Sequence, residues 1–212
     1  MPQNIDLCWN EIKGPNKQRM SNNKPLVSVV VPMYNESECI REFYDRTTKA
    51  MADLSALFRH EIVIIDDGST DGTATLLNAL CESDPKVVGV LLSRNRGQST
   101  ALQAGFQHAR GDFVVVMDGD LQNRPEDIGR LLGAMDRGVA MAKGIRTGRG
   151  ESRVRRLLPS MIANWLIRKT TKSDVRDMGG FSCIRGDVAR SLRLRSGQHR
   201  IIPAIVHLQG GK

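Results

Sequence analysis

Two acidic pairs each stand at the end of an apolar run. In "EIVIIDDGSTDGT" (61–73) the run stops on Asp66 and Asp67, and in "VVVMDGDLQNRPEDI" (114–128) it stops on Asp118 and Asp120. Crowding carboxylates at the ends of buried strands is costly unless something positive joins them. A divalent cation does so. Oxygen donors completed by water and phosphates suit Mg²⁺ or Mn²⁺, and the cation then neutralises a bound diphosphate. A carboxylate at a strand end can also accept hydrogen bonds from a base or a ribose. The plainer reading is helix capping, by Asp67 or Ser69 on one helix and Asn123 on the next. Both uses can coexist, and a lone DxD pair is common by chance.

Such pairs need a scaffold. Apolar runs at 27–31 (ended by Pro32), 62–65, 87–92, 113–117 and 139–142 read as strands. Between them the spacing is helical. Residues 36–60 carry Ile40, Phe43, Tyr44, Thr47, Met51, Leu54 and Phe58 on one face. Ser69, Thr70 or Asp71 caps a second helix carrying Leu76, Leu77 and Leu80. Residues 98–110 turn Leu102, Gly105 and Phe106 inward, and Pro125 opens a helix with Ile128, Leu131, Leu132 and Met135 buried. Alternating strands and helices predict an α/β fold: a mostly parallel central sheet flanked by helices. Ligands of such sheets bind beyond the carboxyl ends of the strands, where all four aspartates lie.

The chain has 212 residues, 40% hydrophobic, enough for one domain with a core. Residues 25–212 are assigned to it and 1–24 to a flexible polar tail in which Trp9 is a lone aromatic. No window approaches the ~18 uninterrupted apolar residues of a membrane span, and the first residues lack a secretory h-region. Cys8, Cys39, Cys81 and Cys183 show no metal or CxxC spacing and read as reduced thiols of a cytosolic protein. Net charge is +8, and the whole excess lies between Lys143 and Lys172, where nine Lys/Arg accompany one acid, Glu151. So local a patch points to an anionic partner, or else to a solvated basic surface. Within 153–169, Val154, Leu157, Leu158, Met161, Ile162, Trp165 and Leu166 form an apolar stripe flanked by cations, with Pro159 as a kink. That suits an anionic membrane surface; the alternative packs the stripe on the sheet or in a homo-oligomer. One aromatic and no nucleic-acid motif argue against nucleic acid as the partner. His60 and His108 read as helix-end residues, His199 and His207 carry no assigned role, and Met33 and Met51 read as packing.

Four stretches together carry a resemblance: "VSVVVPMYNESECI", "EIVIIDDGSTDGT", "LSRNRGQSTALQAGFQHARGDFVVVMDGDLQNRPEDI" and "DVRDMGGFSCIRGDV". Their order and spacing resemble family 2 glycosyltransferases of the GT-A fold, and more narrowly the polyprenyl-phosphate glycosyltransferases, over about residues 25–210. A strand followed by DxD also opens haloacid-dehalogenase-type phosphatases, but here that strand is the fourth, and Gln122 stands where those carry Thr or Val. The resemblance implies a GT-A single domain. Pro32, Tyr34, Asn35 and Glu36 would form the first nucleotide-contacting loop. Asp66 and Asp67 would meet base and ribose, with Gly68 and Ser69 allowing close backbone approach. Arg94, Gly97 and Gln98 would frame the nucleotide pocket. Asp118, Gly119, Asp120 and Gln122 would bind the sugar nucleotide, with Asp118, Asp120 and Gln122 as ligands of Mg²⁺ or Mn²⁺. Arg146, helped by Arg200, would serve the diphosphate side, Arg149 would bind substrate, and Asp177, Gly179 and Gly180 would lie on the acceptor side. Arg96 and Asn123 depart from the common pattern, which has an aromatic and an Asp there.

The implied reaction is an inverting, metal-dependent sugar transfer from a UDP- or GDP-sugar to undecaprenyl or dolichyl phosphate. Asp120, Arg146 and Asp177 are its catalytic candidates. A phosphomonoester acceptor is largely dianionic at neutral pH, its second pKa being about 6, and needs no general base. With a hydroxyl acceptor, Asp177 would be the base; with a lipid phosphate, it would orient a basic residue or the sugar. Two alternatives remain: a saccharide-hydroxyl acceptor in cell-surface polysaccharide synthesis, and a non-catalytic nucleotide-binding module held at a membrane. The expected location is the cytoplasmic face of the cell membrane, peripheral or anchored by a C-terminal segment beyond Lys212.

Overall fold

Side chains on β1 (Leu26–Met33) alternate between two cores. Val27, Val29, Val31 and Met33 face one, and Val30 faces the other. The computed structural model describes residues 24–136, 138–144 and 180–208, and elements are numbered over these. β1 is central. It pairs in parallel with β2 (Arg59–Asp66) and β4 (Phe113–Val116), and β2 pairs in parallel with β3 (Val87–Leu91). β6 (Ser182–Arg185) lies antiparallel between β4 and β5 (Met141–Lys143), so the sheet order is β3-β2-β1-β4-β6-β5. The sheet is mixed, with its parallel half as expected.

Helices cover both faces. α1 (Ile40–Asp53), α2 (Thr73–Ser83) and α4 (Ile128–Gly133) place Phe43, Met51, Leu77 and Leu131 in the first core. α3 (Gln98–His108), α5 (Gly186–Ser191) and α6 (Ile202–Leu208) place Leu102, Phe106, Ala189 and Val206 in the second. Each of these side chains except the smaller Ala189 stabilises the fold by roughly 1.5–3 kcal/mol when taken from water. Met33 and Met51 are core residues, as read.

Several expectations are corrected. The helix foreseen over 36–60 is shorter. Its last residues tighten into i→i−3 bonds at Leu54, Ser55 and Leu57, and Arg59 N–H then starts the ladder on Pro25 C=O at 2.9 Å. His60 is therefore a strand residue of β2, while His108 does end α3. β1 runs through Pro32 to Met33. The missing N–H is tolerated because the β4 ladder stops at Val30–Val116, leaving Pro32 paired only with β2. The N-cap of α2 is Gly72, in the left-handed region at φ 98°, and not Ser69, Thr70 or Asp71. Asn123 is no cap: a 3₁₀ turn at Pro125–Asp127 precedes α4 and takes Arg124 at that position. β5 is shifted by two residues at its start, and β6 was not foreseen. Among the described residues no helix is long and apolar enough to cross a membrane.

Candidate functional site

The carboxyl ends of β1, β2 and β4 bring three loops to one edge. The first two are tied by side chains. Asn35, left-handed at φ 55°, donates its N–H to Ser69 Oγ at 2.9 Å and accepts Thr70 N–H on Oδ1 at 2.9 Å. Glu36 N–H donates to Thr73 Oγ1 at 3.0 Å, and Ser37 N–H to Asp71 Oδ2 at 3.0 Å. Asp71 also accepts the Thr73 hydroxyl at 2.6 Å, and these bonds hold its carboxyl well below the usual range.

Asp66 and Asp67 are both buried, and each carboxylate accepts backbone N–H groups of the loops around it. Asp66 accepts Ser69 N–H on its two oxygens at 3.3 Å. Asp67 accepts Arg96 N–H on Oδ1 and Gly97 N–H on Oδ2, each at 2.8 Å. It is the strut that shapes the 94–97 turn. Gly68 (φ 71°) makes this possible, because a Cβ there would lie 2.3 Å from Arg94 C. The close backbone approach foreseen at Gly68 is thus made by the chain itself. Pro32 is embedded in β1 opposite Ile65, whereas Tyr34 and Arg94 are exposed.

The turn leads into α3, whose first residue reaches the second acidic pair. Gln98 Nε2–H donates to Asp118 Oδ1 at 2.7 Å. Gly180 packs against the same carboxylate so closely that a Cβ would sit 2.7 Å from Oδ2. Asp120 Oδ1 accepts Gln122 N–H at 3.0 Å across Leu121, whose left-handed φ of 60° closes this small Asx turn. Such a conformation costs a non-glycine residue of order 1 kcal/mol or more. Gly119 is buried under the turn.

Asp118, Gln98 and Gln122 line a cleft of about 210 Å³ whose other walls include Gly180, Ser182, His199 and Arg200. Burial pushes the Glu36 carboxyl up. A hydrogen bond with Cys39 pulls it back, and the negative charges of Asp120 and Asp71 push it up again. The acids of the first and third loops therefore feel one another. Among the described residues no three His, Cys, Asp or Glu are grouped to hold a metal by themselves. Two carboxylates in a field of like charge fit Mg²⁺ or Mn²⁺, which take one or two protein carboxylates and complete their shell with phosphates and water.

Arg146, Arg149, Asp177 and Gly179, with the 153–169 stripe, lie outside the described residues. Sequence reasoning missed His199. It carries no periodic signal and is joined to Ser99 across one hundred positions.

The Glycosyl transferase family 2 model matches residues 28–192. The chain belongs to this family. The chain is 37% identical over 191 residues to an undecaprenyl-phosphate 4-deoxy-4-formamido-L-arabinose transferase of Yersinia pestis (strain Pestoides F), covering 89% of the chain and 54% of the relative. A protein of the same name from Salmonella choleraesuis (strain SC-B67) is 43% identical over 159 residues, 74% of the chain and 47% of the relative. The chain spans about half the length of the curated relatives it matches. Among solved structures, a mannosyltransferase from Pyrobaculum calidifontis in complex with GDP-Man and Mn²⁺ superposes with TM-score 0.57 at 22% identity, over 90% of this chain and 48% of that one. A mycobacterial protein superposes with TM-score 0.65 at 22% identity, over 88% and 62%. At that identity the likeness concerns the fold, which is that of the GT-A glycosyltransferases.

Proposed function

We propose that this family 2 domain transfers a sugar from a UDP- or GDP-sugar to a polyprenyl phosphate at the cytoplasmic face of a membrane. The observation that carries the reading is that Asp118, past the end of β4 and followed by Asp120, lines a cleft together with Arg200. The polyprenyl phosphate acceptor is taken from the names of the relatives above.

Asp118 and Asp120 would hold Mg²⁺ or Mn²⁺, with Gln122 beside them. When bound, the ion supplies Lewis-acid neutralisation of a departing diphosphate. Gln98 fixes the rotamer of Asp118, and the Gln122 N–H fixes that of Asp120. Both carboxylates are thus oriented before substrate arrives, which removes reorganisation from the reaction. The Asp67 strut holds the start of α3 and with it Gln98. Arg200 offers a fork of N–H donors to phosphate oxygens, and Arg146 and Arg149 are proposed to do the same. A phosphate acceptor is already nucleophilic at neutral pH, so the protein's task is to hold two repelling anions in line. A single displacement then inverts the anomeric centre.

The test is a transfer assay with a panel of UDP- and GDP-sugars and undecaprenyl or dolichyl phosphate. Product formation should require the lipid phosphate, and Asp120→Asn should lower it at least ~100-fold, the scale of losing a main electrostatic stabiliser. Full activity of Asp120→Asn would sink the metal role. Turnover on a saccharide hydroxyl without lipid phosphate would replace the acceptor.

A further inference from the structure

The segment that carries Arg200 is fastened to α3 at two points. Leu194 N–H donates to Gln103 Oε1 at 2.7 Å, and His199 N–H donates to Ser99 Oγ at 3.1 Å. His199 makes a second contact with the same serine, Nδ1 to Oγ at 2.9 Å. Ser99 is only 3% exposed, so its hydroxyl proton needs an acceptor within the protein. Among the described residues the acceptor in reach is His199 Nδ1. The hydroxyl therefore accepts from the His199 backbone and donates to its ring. Nδ1 then carries no proton, and in the neutral ring the proton sits on Nε2.

Protonating the ring would turn Nδ1 into a second N–H aimed at the Ser99 oxygen and strand the buried hydroxyl proton. The surroundings agree with a neutral ring. Burial lowers the basicity of His199, the neighbouring Arg200 charge lowers it further, and Asp118 opposes them with a smaller effect. His199 lines the cleft with Gln98, Asp118, Gln122 and Arg200. A neutral donor beside Arg200 adds a hydrogen bond to an anion without placing two cations side by side.

We propose that Ser99 locks His199 in the Nε2–H tautomer, and that this N–H is a positioning donor to a phosphoryl oxygen bound in the cleft. The inference rests on the transferase reading for the identity of the anion, which is a phosphate of the donor diphosphate or of the lipid acceptor.

Two experiments test it on the whole chain. The first needs no turnover. Long-range ¹⁵N correlation spectra at neutral pH, with His199 assigned by comparison with His199→Asn, should show the Nε2–H tautomer alone, and Ser99→Ala should relax it to the mixture of both tautomers that a free imidazole shows. A proton on Nδ1 in the wild-type chain overturns the proposal whatever the enzyme's substrates are. The second uses substitutions that imitate one ring nitrogen each. In His199→Asn the side-chain oxygen can still accept from Ser99, but the donor into the cleft is gone. This variant should keep its melting temperature within ~2 °C and lose about 10- to 100-fold in kcat/KM, the range for one hydrogen bond to a charged group. Ser99→Ala/His199→Gln restores a donor near the Nε2 position with no stranded hydroxyl, and should recover most of that loss.

A KM change confined to the sugar nucleotide assigns the donor diphosphate; one confined to the lipid assigns the acceptor phosphate. Wild-type kcat/KM in His199→Asn, or no recovery in the double variant, overturns the proposal. If the wild-type chain turns over no sugar nucleotide, the transferase reading fails. UDP and GDP titrations of wild type and His199→Asn in Mn²⁺ then decide the phosphoryl contact: weaker binding in the variant supports it, and equal or no binding overturns it.

Discussion

Replacing Asp67 by Asn tests whether this acid is a strut of the site. The carboxylate is 3% exposed and spends one oxygen on Arg96 N–H and the other on Gly97 N–H, both at 2.8 Å. The amide keeps one acceptor and must turn its NH₂ against the other backbone N–H. One charge-assisted bond is lost and a largely buried donor is stranded, a cost of about 2 to 3 kcal/mol. For a domain of this size each kcal/mol moves the midpoint by about 2–4 °C, so Asp67→Asn should melt about 4–12 °C lower with no nucleotide present. Amide hydrogen exchange should accelerate at Arg96 and Gly97 while the core of β1 stays protected. Affinity for the nucleotide should fall as well, because Gln98 and its grip on Asp118 follow directly on this turn. A midpoint within ~1 °C of wild type, with nucleotide affinity lost, would refute the strut and return Asp67 to direct contact with base or ribose.

Other expectations follow from single residues. Gly180→Ala should cut transfer at least ~10-fold with little change in melting, because the new Cβ would sit 2.7 Å from Asp118 Oδ2 and push the carboxylate off its rotamer; retained kcat/KM would show that Asp118 need not be held there. Glu61→Gln should destabilise the fold by about 1.5–3 kcal/mol at pH 7, since Glu61 is buried and accepts from Ser28 Oγ at 2.6 Å, from Arg110 N–H at 2.8 Å and from the Arg110 guanidinium at 2.7 Å. Burial raises this carboxyl, the bonds from Ser28 and Arg110 outweigh it, and the net shift is downward. A depressed folded-state pKa stabilises above the unfolded value of about 4.3 and loses that contribution as pH falls through the folded value. The gap in denaturation midpoint between wild type and Glu61→Gln should therefore be widest near neutrality and close below about pH 4; a pH-independent gap would rule out the charge as its origin.

Much of the parallel half of the sheet was legible because its strands contain short apolar runs that end on polar residues, as in Ile62–Ile65 before Asp66. β6 was not, because Ser182–Arg185 is four residues long with polar ends, and its place between β4 and β5 is set by pairing with distant strands. The start of α1 was placed too early because no Gly or Pro stands between Glu36 and Ile40 to mark the helix start. Yet the left-handed turn at Asn35 and the contacts with Ser69 and Thr73 keep that loop out of the helix. The acidic edge itself was readable, since acids after apolar strands sit at the carboxyl end wherever the sheet is parallel. How the acids divide their work was not. The strut at Asp67 depends on a turn some thirty positions away, and the Ser99–His199 contact on a segment one hundred positions away. Neither leaves a periodic trace.

Calorimetric titration of the chain with UDP and with GDP, each with and without Mn²⁺, bears most directly on a donor site built from Asp118 and Asp120. Saturable binding of one nucleotide that requires Mn²⁺ and disappears in Asp120→Asn is the predicted result. Binding of neither, or binding indifferent both to the metal and to Asp120, would contradict it.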